Sequence, residues 1–148
     1  IIKSKVLTNY VTTPMLAIKK ALRVLGAKKI GYIAPYISDI AHKMCSDLTE
    51  AGFNIVSAAT FNEDKDSIVG IITPESIFKA VETLTEQSHD LEAIFISCTS
   101  LKCKPIIPLA EERFKVPILS SNSALAWDMV KLSKADVSKH GKGILFNY

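Results

Sequence analysis

The eight residues Ala93-Ile94-Phe95-Ile96-Ser97-Cys98-Thr99-Ser100 constrain this chain more than any other stretch. Ile94 to Ile96 is an unbroken apolar run, the pattern of a strand buried on both faces. Four small residues that can donate hydrogen bonds follow at once. Residues 101–114 then read as a helix, broken early by Pro105 and Pro108. The pattern puts Cys98 on a turn, at the carboxyl end of a strand and the amino end of a helix. Open α/β sheets place ligands at such turns. Orphan N–H groups and the helix dipole favour negative charge there, and the same field lowers a thiol pKa toward the reactive thiolate. A plainer role also fits, because a lone cysteine after a strand is most often a small buried hydrophobe.

The rest of the chain repeats this strand–helix alternation. Residues 5–10 read as a short strand. Thr12-Thr13-Pro14 opens a helix with a hydroxyl cap and a proline in the first turn. Leu16, Ala17, Ala21, Leu22 and Leu25 form its apolar stripe, and Gly26 is its end signal. Residues 29–34 are an apolar strand whose end loop is Pro35-Tyr36. Ser38-Asp39 caps a helix running to Glu50, and residues 53–59 form the next strand. Residues 60–70 read as a polar loop. Thr73-Pro74-Glu75 opens a helix through Gln87, with its glutamate placed to suit the dipole. After the Cys98 unit come a short strand at 116–120, a helix at 122–134 and a last strand at 143–146. Such alternation predicts an open parallel sheet with helices on both faces, a Rossmann-like or flavodoxin-like three-layer α/β fold in one domain, 1–148.

Composition excludes several classes. Of 148 residues, 48% are hydrophobic, enough for a core, yet no run reaches the roughly 18 residues of a membrane span. Ile1-Ile2-Lys3 lacks the pattern of a signal peptide. The net charge is +3, but pairs such as Lys19-Lys20 and Lys28-Lys29 are dispersed, which argues against a nucleic-acid surface. Three cysteines, Cys45, Cys98 and Cys103, make no disulfide framework and indicate a reducing, cytoplasmic setting. A zinc site is not expected, since no second cysteine pair or placed histidine accompanies them. The acidic residues from Glu63 to Asp66 lack the glycine and terminal glutamate of a calcium loop. Neither G-x-G-x-x-G nor the Walker Gly-Lys-Ser/Thr occurs.

Four sets of residues carry a family resemblance. Ile96-Ser97-Cys98-Thr99-Ser100-Leu101 and Val116-Pro117-Ile118-Leu119-Ser120-Ser121-Asn122-Ser123-Ala124-Leu125-Ala126-Trp127 resemble the second half of the maleate isomerase and arylmalonate decarboxylase group, within the aspartate/glutamate racemase superfamily. Ala34-Pro35-Tyr36 with Asp39 matches the group's mid-chain motif, and Gly141-Lys142-Gly143-Ile144-Leu145-Phe146 its carboxyl-terminal end. The resemblance implies one half of a two-domain enzyme with pseudo-twofold symmetry, with the first half and its own cysteine loop missing from these residues. By itself, such a half is expected to be inactive. The resemblance also implies no metal, no organic cofactor, a small carboxylate or dicarboxylate substrate such as maleate or aspartate, and a homo-oligomer. Residue by residue, it makes Cys98 the catalytic cysteine and Tyr36 a hydroxyl donor to the substrate carboxylate. Thr99 becomes a backbone N–H donor beside that cysteine. Ser100, Ser120, Ser121 and Asn122 follow as polar contacts at the strand ends. Ser67 stands where maleate isomerases have an asparagine.

These residue types suit proton chemistry beside a carboxylate, which requires stabilising a planar, enediolate-like anion with preorganised N–H and O–H donors. A thiol can then give or take the proton, or attack as a thiolate. The expected activity is a cofactor-independent isomerase, racemase or decarboxylase. The alternative is a noncatalytic α/β ligand-binding module. Cys45, Cys103 and Trp127 are expected to be structural, and His42, His89 and His140 to lie on the surface.

Overall fold

A computed structural model describes residues 10–148. Helix α1 (Pro14–Val24) is followed by β1 (Lys29–Tyr36), α2 (Ser38–Glu50) and β2 (Asn54–Glu63). A single-turn helix α3 (Asp66–Val69), helix α4 (Pro74–Gln87) and strand β3 (Ala93–Ile96) come next. Then follow α5 (Ile107–Phe114), β4 (Ile118–Ser120) and α6 (Ser121–Leu132), with 3₁₀ turns at Val137–Lys139 and Ile144–Asn147. The four strands are all parallel, in the order β2-β1-β3-β4. The strand read at residues 5–10 falls outside the described residues, save Tyr10, which belongs to no strand.

Successive side chains on a strand point to opposite faces, so one sheet feeds two cores. Ile30, Tyr32 and Ala34 of β1 join Phe95 of β3 and Leu119 of β4 against α1, α2 and α6. Ile33, Ile94, Ile96 and Ile118 turn the other way, toward Ile77, Val81 and Leu84 of α4 and Ala110 of α5. Both faces are therefore covered, which is why β3 carries no polar alternation. Each fully buried Ile, Leu or Phe contributes about 1.5–3 kcal/mol by leaving water.

Local signals place several ends as expected. Thr13 accepts the Leu16 N–H and caps α1, Thr73 accepts the Ser76 N–H and caps α4, and Gly26 takes a left-handed φ of +70° after α1. Four readings change. On α1 the buried stripe is Ala17, Ile18, Ala21 and Leu22, while Leu16 is exposed. One residue turns about 100° around a helix, which carries Leu16 to the far side. Strand β2 runs on to Glu63, because the polar residues at 60 and 62 alternate with the inward-turned Ala59 and Phe61 of an edge strand. No helix begins at Leu101. The chain from Ser97 to Ile106 is irregular, and Pro108 sits in the first turn of α5, where its missing N–H costs nothing. Residues 144–147 form a 3₁₀ turn rather than a strand.

Two buried carboxylates tie the outer elements down. Glu111 of α5 accepts the Ile118 N–H at 3.0 Å and the Ile144 N–H at 2.8 Å, fastening both β4 and the carboxyl-terminal turn. Burial pushes its carboxyl up, and the two N–H donors pull it back down. Asp128 of α6 is 3% exposed and accepts both Lys20 Nζ of α1, at 2.7 Å, and the hydroxyl of Thr12, just ahead of that helix. Removing one partner of such a buried cluster strands the others without compensation. Asp128→Ala should cost about 2 kcal/mol, since Lys20 keeps partial access to water. Urea unfolding at an unchanged m value checks this.

Candidate active site

In the strand order, β1 is joined onward to β2 on one side and pairs with β3 on the other. The gap between the carboxyl ends of β1 and β3 is thus the topological switch point, where open α/β sheets bind ligands. Tyr36 is the last residue of β1, Ser97 and Cys98 follow β3 directly, and Ser120 ends β4. Tyr36, Cys98 and Ser120 consequently share one rim of the sheet.

The backbone at Cys98 is unusual. Ser97 makes a last rung of the β1–β3 ladder, its N–H donating to the Ile33 carbonyl at 2.7 Å. One residue later the chain turns with a φ of +100° at Cys98. A side chain in such a conformation costs of order 1–3 kcal/mol and persists only when its surroundings hold it. The first turn of α6 does the holding. The Cys98 N–H donates to Ser121 Oγ at 3.1 Å, and Asn122 Nδ2 donates to the Thr99 carbonyl at 2.8 Å. Ser120 and Ser123 in turn lock that helix start, each accepting the other's backbone N–H, at 3.0 and 2.8 Å.

One sequence reading changes here. Because α5 starts at Ile107, no helix dipole points at Cys98 from the segment after it. The thiol instead accepts the Ser100 N–H at 3.4 Å, within a turn that closes on itself. Ser120 caps α6, and Asn122 clips the cysteine loop from the side. Ser121 is likewise engaged by the Cys98 backbone. Thr99 and Ser100 are exposed beside the thiol. Ser67 is exposed on α3, beyond the end of β2, and among the described residues no hydrogen bond links it to the cysteine loop.

Tyr36 is half-buried, and its phenol is pushed up to about 12, first by burial and then by hydrogen bonding to the Cys98 side chain, with the Asp66 charge adding to both. It is therefore a protonated donor at neutral pH. Behind it lies Tyr32, fully buried, its phenol raised mainly by burial. The Ser97 hydroxyl pulls both phenols down. Ser97 and Ser123 escape a reading by residue type; the Ser120-x-x-Ser123 spacing is the one signal for the latter. Burial raises the Cys45 thiol, and it pushes that of Cys103 to about 12. All three histidines are exposed. Among the described residues no group of three or more His, Cys, Asp or Glu is placed to hold a metal, and no helix is long and apolar enough to cross a membrane.

Three outcomes follow from this geometry. Iodoacetamide at neutral pH should label Cys98 fastest and Cys103 slowest, read by peptide mass spectrometry, since only Cys98 pairs partial exposure with an N–H donor aimed at sulfur. Cys98→Gly should be more stable than Cys98→Ala by about 1 kcal/mol, because glycine tolerates the left-handed φ. The Tyr36 phenol titrates higher folded than the roughly 10 of an unfolded chain. Its stabilising contribution is complete below pH 10 and is lost as pH rises toward 12. Urea midpoints at pH 8 and pH 11 should therefore differ less in Tyr36→Phe than in the parent.

Comparison with known proteins bears on the family and the fold. The arylmalonate decarboxylase family model matches residues 6–146. The maleate isomerase of Nocardia farcinica is 28% identical over 130 residues, covering 87% of this chain and 51% of that protein. The arylmalonate decarboxylase of Bordetella bronchiseptica is 26% identical over 137 residues, covering 92% and 57%. A crystal structure of arylmalonate decarboxylase superposes with a TM-score of 0.82 at 26% identity, over 92% of this chain and 60% of that one. The Nocardia farcinica maleate cis-trans isomerase bound to TRIS gives 0.83 at 24% identity, over 92% and 55%. The chain thus spans about half the length of the relatives it matches. With nearly every described residue inside the matched region, the chain belongs to the arylmalonate decarboxylase family.

Proposed function

We propose that this chain carries the cysteine half-site of a cofactor-independent isomerase, racemase or decarboxylase acting on a small carboxylic or dicarboxylic acid. The observation that carries the reading is the Cys98 turn. A strained, half-exposed thiol at the sheet's switch point accepts an N–H and has a protonated phenol beside it. Relatives of the chain are named as maleate isomerases and an arylmalonate decarboxylase. One structural neighbour, a mutant maleate isomerase, holds a covalently bound succinylcysteine intermediate.

In an isomerisation, the Cys98 thiolate adds to one alkene carbon. The π pair moves onto the neighbouring carboxylate-bearing carbon, the bond between the two carbons becomes single and rotates, and the thiolate leaves as the double bond reforms. In a decarboxylation, carbon dioxide departs with the C–C pair left behind as a carbanion, and the Cys98 S–H protonates it. Both routes build charge on carboxylate oxygens, and in this reading the Tyr36 O–H and the Thr99 N–H are the donors that meet it. A positioned acid or base contributes 10²–10⁴-fold, provided it is held near the reacting carbon. In this reading the opposing wall of the site comes from a second half, and the 148-residue chain alone turns over little or nothing.

The test is turnover of maleate and of aryl malonates by the full-length product in deuterated water, with the 148-residue chain assayed beside it. Cys98→Ala in the full-length product should lower kcat by about 10³-fold, and Tyr36→Phe by about 10²-fold, the effect of deleting one donor to a developing oxyanion. Turnover that survives Cys98→Ala would show that the chemistry lies elsewhere. Equal rates for the chain and the full-length product would show the site to be complete within these residues.

A further inference from the structure

Beside the cysteine loop lies a groove of about 1090 Å³, larger than Cys98 chemistry on a four-carbon acid requires. That is at the upper end of the roughly 300–1,000 Å³ of small-molecule sites, room for a ligand longer than a four-carbon acid. Its walls are the loop after Cys98, the first turn of α6 and the carboxyl-terminal residues 139–142. Those walls bear Lys102, Lys104, Lys139, His140 and Lys142, and no aspartate or glutamate lines them.

Some lysines elsewhere are neutralised, while Lys28, Lys43, Lys65, Lys115 and Lys134 also carry no ion pair among the described residues but are not gathered around a concavity. Lys19, Lys20, Lys29 and Lys79 each meet a carboxylate within 2.8 Å. In the groove, Lys139 has one loose, exposed contact with Asp136 at 3.5 Å. Among the described residues Lys102, Lys104 and Lys142 have no carboxylate within ion-pair distance. Four lysines gathered around one concavity repel each other and are stabilised by an anion of more than one charge. Asn122 and Ser123, in the first turn of α6, lie on the same wall, so the positive end of a twelve-residue helix adds to that field. Phe146, Ile107 and Pro108 supply an apolar floor for the body of a ligand. The ring of Phe146 seats directly over Gly141, where a Cβ would come within 2.2 Å of it, so the basic 139–142 segment is held against the groove.

We propose that this groove binds a phosphate-bearing small molecule. Lysines act as point charges on phosphate, and a compact cluster in a concavity suits a small polyanion better than the extended backbone of a nucleic acid. Thr99, Ser100 and Asn122 belong both to the groove wall and to the cysteine loop. A carboxylic acid bearing a distal phosphate therefore reaches both, with its carboxylate at Cys98 and its phosphate among the lysines. That placement of the carboxylate, though not the phosphate site, rests on the function proposed above.

The test titrates the 148-residue chain with inorganic pyrophosphate, followed by calorimetry and by amide NMR shifts. Saturable one-to-one binding is expected, with shifts at Ser100, Lys104 and Gly141. Lys139→Gln/Lys142→Gln should weaken it at least tenfold. Lys28→Gln/Lys43→Gln removes the same charge from distant surface and should leave it unchanged, as should Cys98→Ala. Absence of saturation, or equal weakening in both lysine pairs, overturns the proposal. A second arm adds 3-phosphoglycerate or pyrophosphate during iodoacetamide labelling. Protection of Cys98 by 3-phosphoglycerate alone identifies a phosphorylated acid as the occupant. Groove binding without protection by either identifies free phosphate groups. Since binding survives Cys98→Ala, loss of the catalytic reading and loss of the phosphate site are separate results.

Discussion

The hydrogen bond from the Cys98 N–H to the Ser121 hydroxyl joins two strand ends that the backbone ladder has already released. Strand β3 stops at Ile96, and nothing in the sheet holds the next residues except the Ser97–Ile33 rung. A left-handed cysteine would relax from there without a clamp. Ser121 and Asn122 provide it from the next βα unit, and their own helix start is rigid because Ser120 and Ser123 satisfy each other. The thiol's position is thus set by α6, not by the helix that follows it in sequence. Any ligand that reaches this rim meets groups already fixed on one braced loop.

Electrostatics divides the molecule into two regimes. On the α1–α6 side, a nearly buried aspartate draws in a lysine and a hydroxyl, and attraction stabilises the packing. Around the groove, cations are left facing one another and water. Surface ion pairs contribute little to stability, so the protein loses little by leaving those lysines unpaired. What it gains is a field whose range is the Debye length, about 8 Å at physiological salt. That reach extends across the groove mouth.

Much of the architecture was legible in the residues. The apolar runs of β1 and β3 and the Thr-Pro starts of α1 and α4 are local patterns, and they read correctly because both cores and both caps obey them. Pro105 and Pro108 misled, since a proline fits a helix's first turn as well as its interruption; the helix simply begins later. Residues 60–63 looked like a loop because an edge strand shows water its polar face. At the site, Cys98 and Tyr36 were visible by type and position. The roles of Ser121 and Asn122 were not, because each contact spans 23 residues and no spacing rule encodes it.

Strand β1 lies near the start of the described chain, yet it is central in the sheet, pairing with β2 on one edge and β3 on the other. During synthesis its apolar residues, Ile30 to Ala34, emerge well before Ala93 can pair with Ile30. Among the strands of the described residues only β2 is available in the interval, and it leaves the other edge of β1 open. Closing it requires a loop through three helices and a strand, and such long-range parallel pairing is slow compared with helix formation. The order in which the elements leave the ribosome therefore exposes an unpaired hydrophobic edge for the time it takes to make sixty or so residues, several seconds at about 5–20 residues per second. In a cell, the yield of this fold depends on how well that interval is guarded.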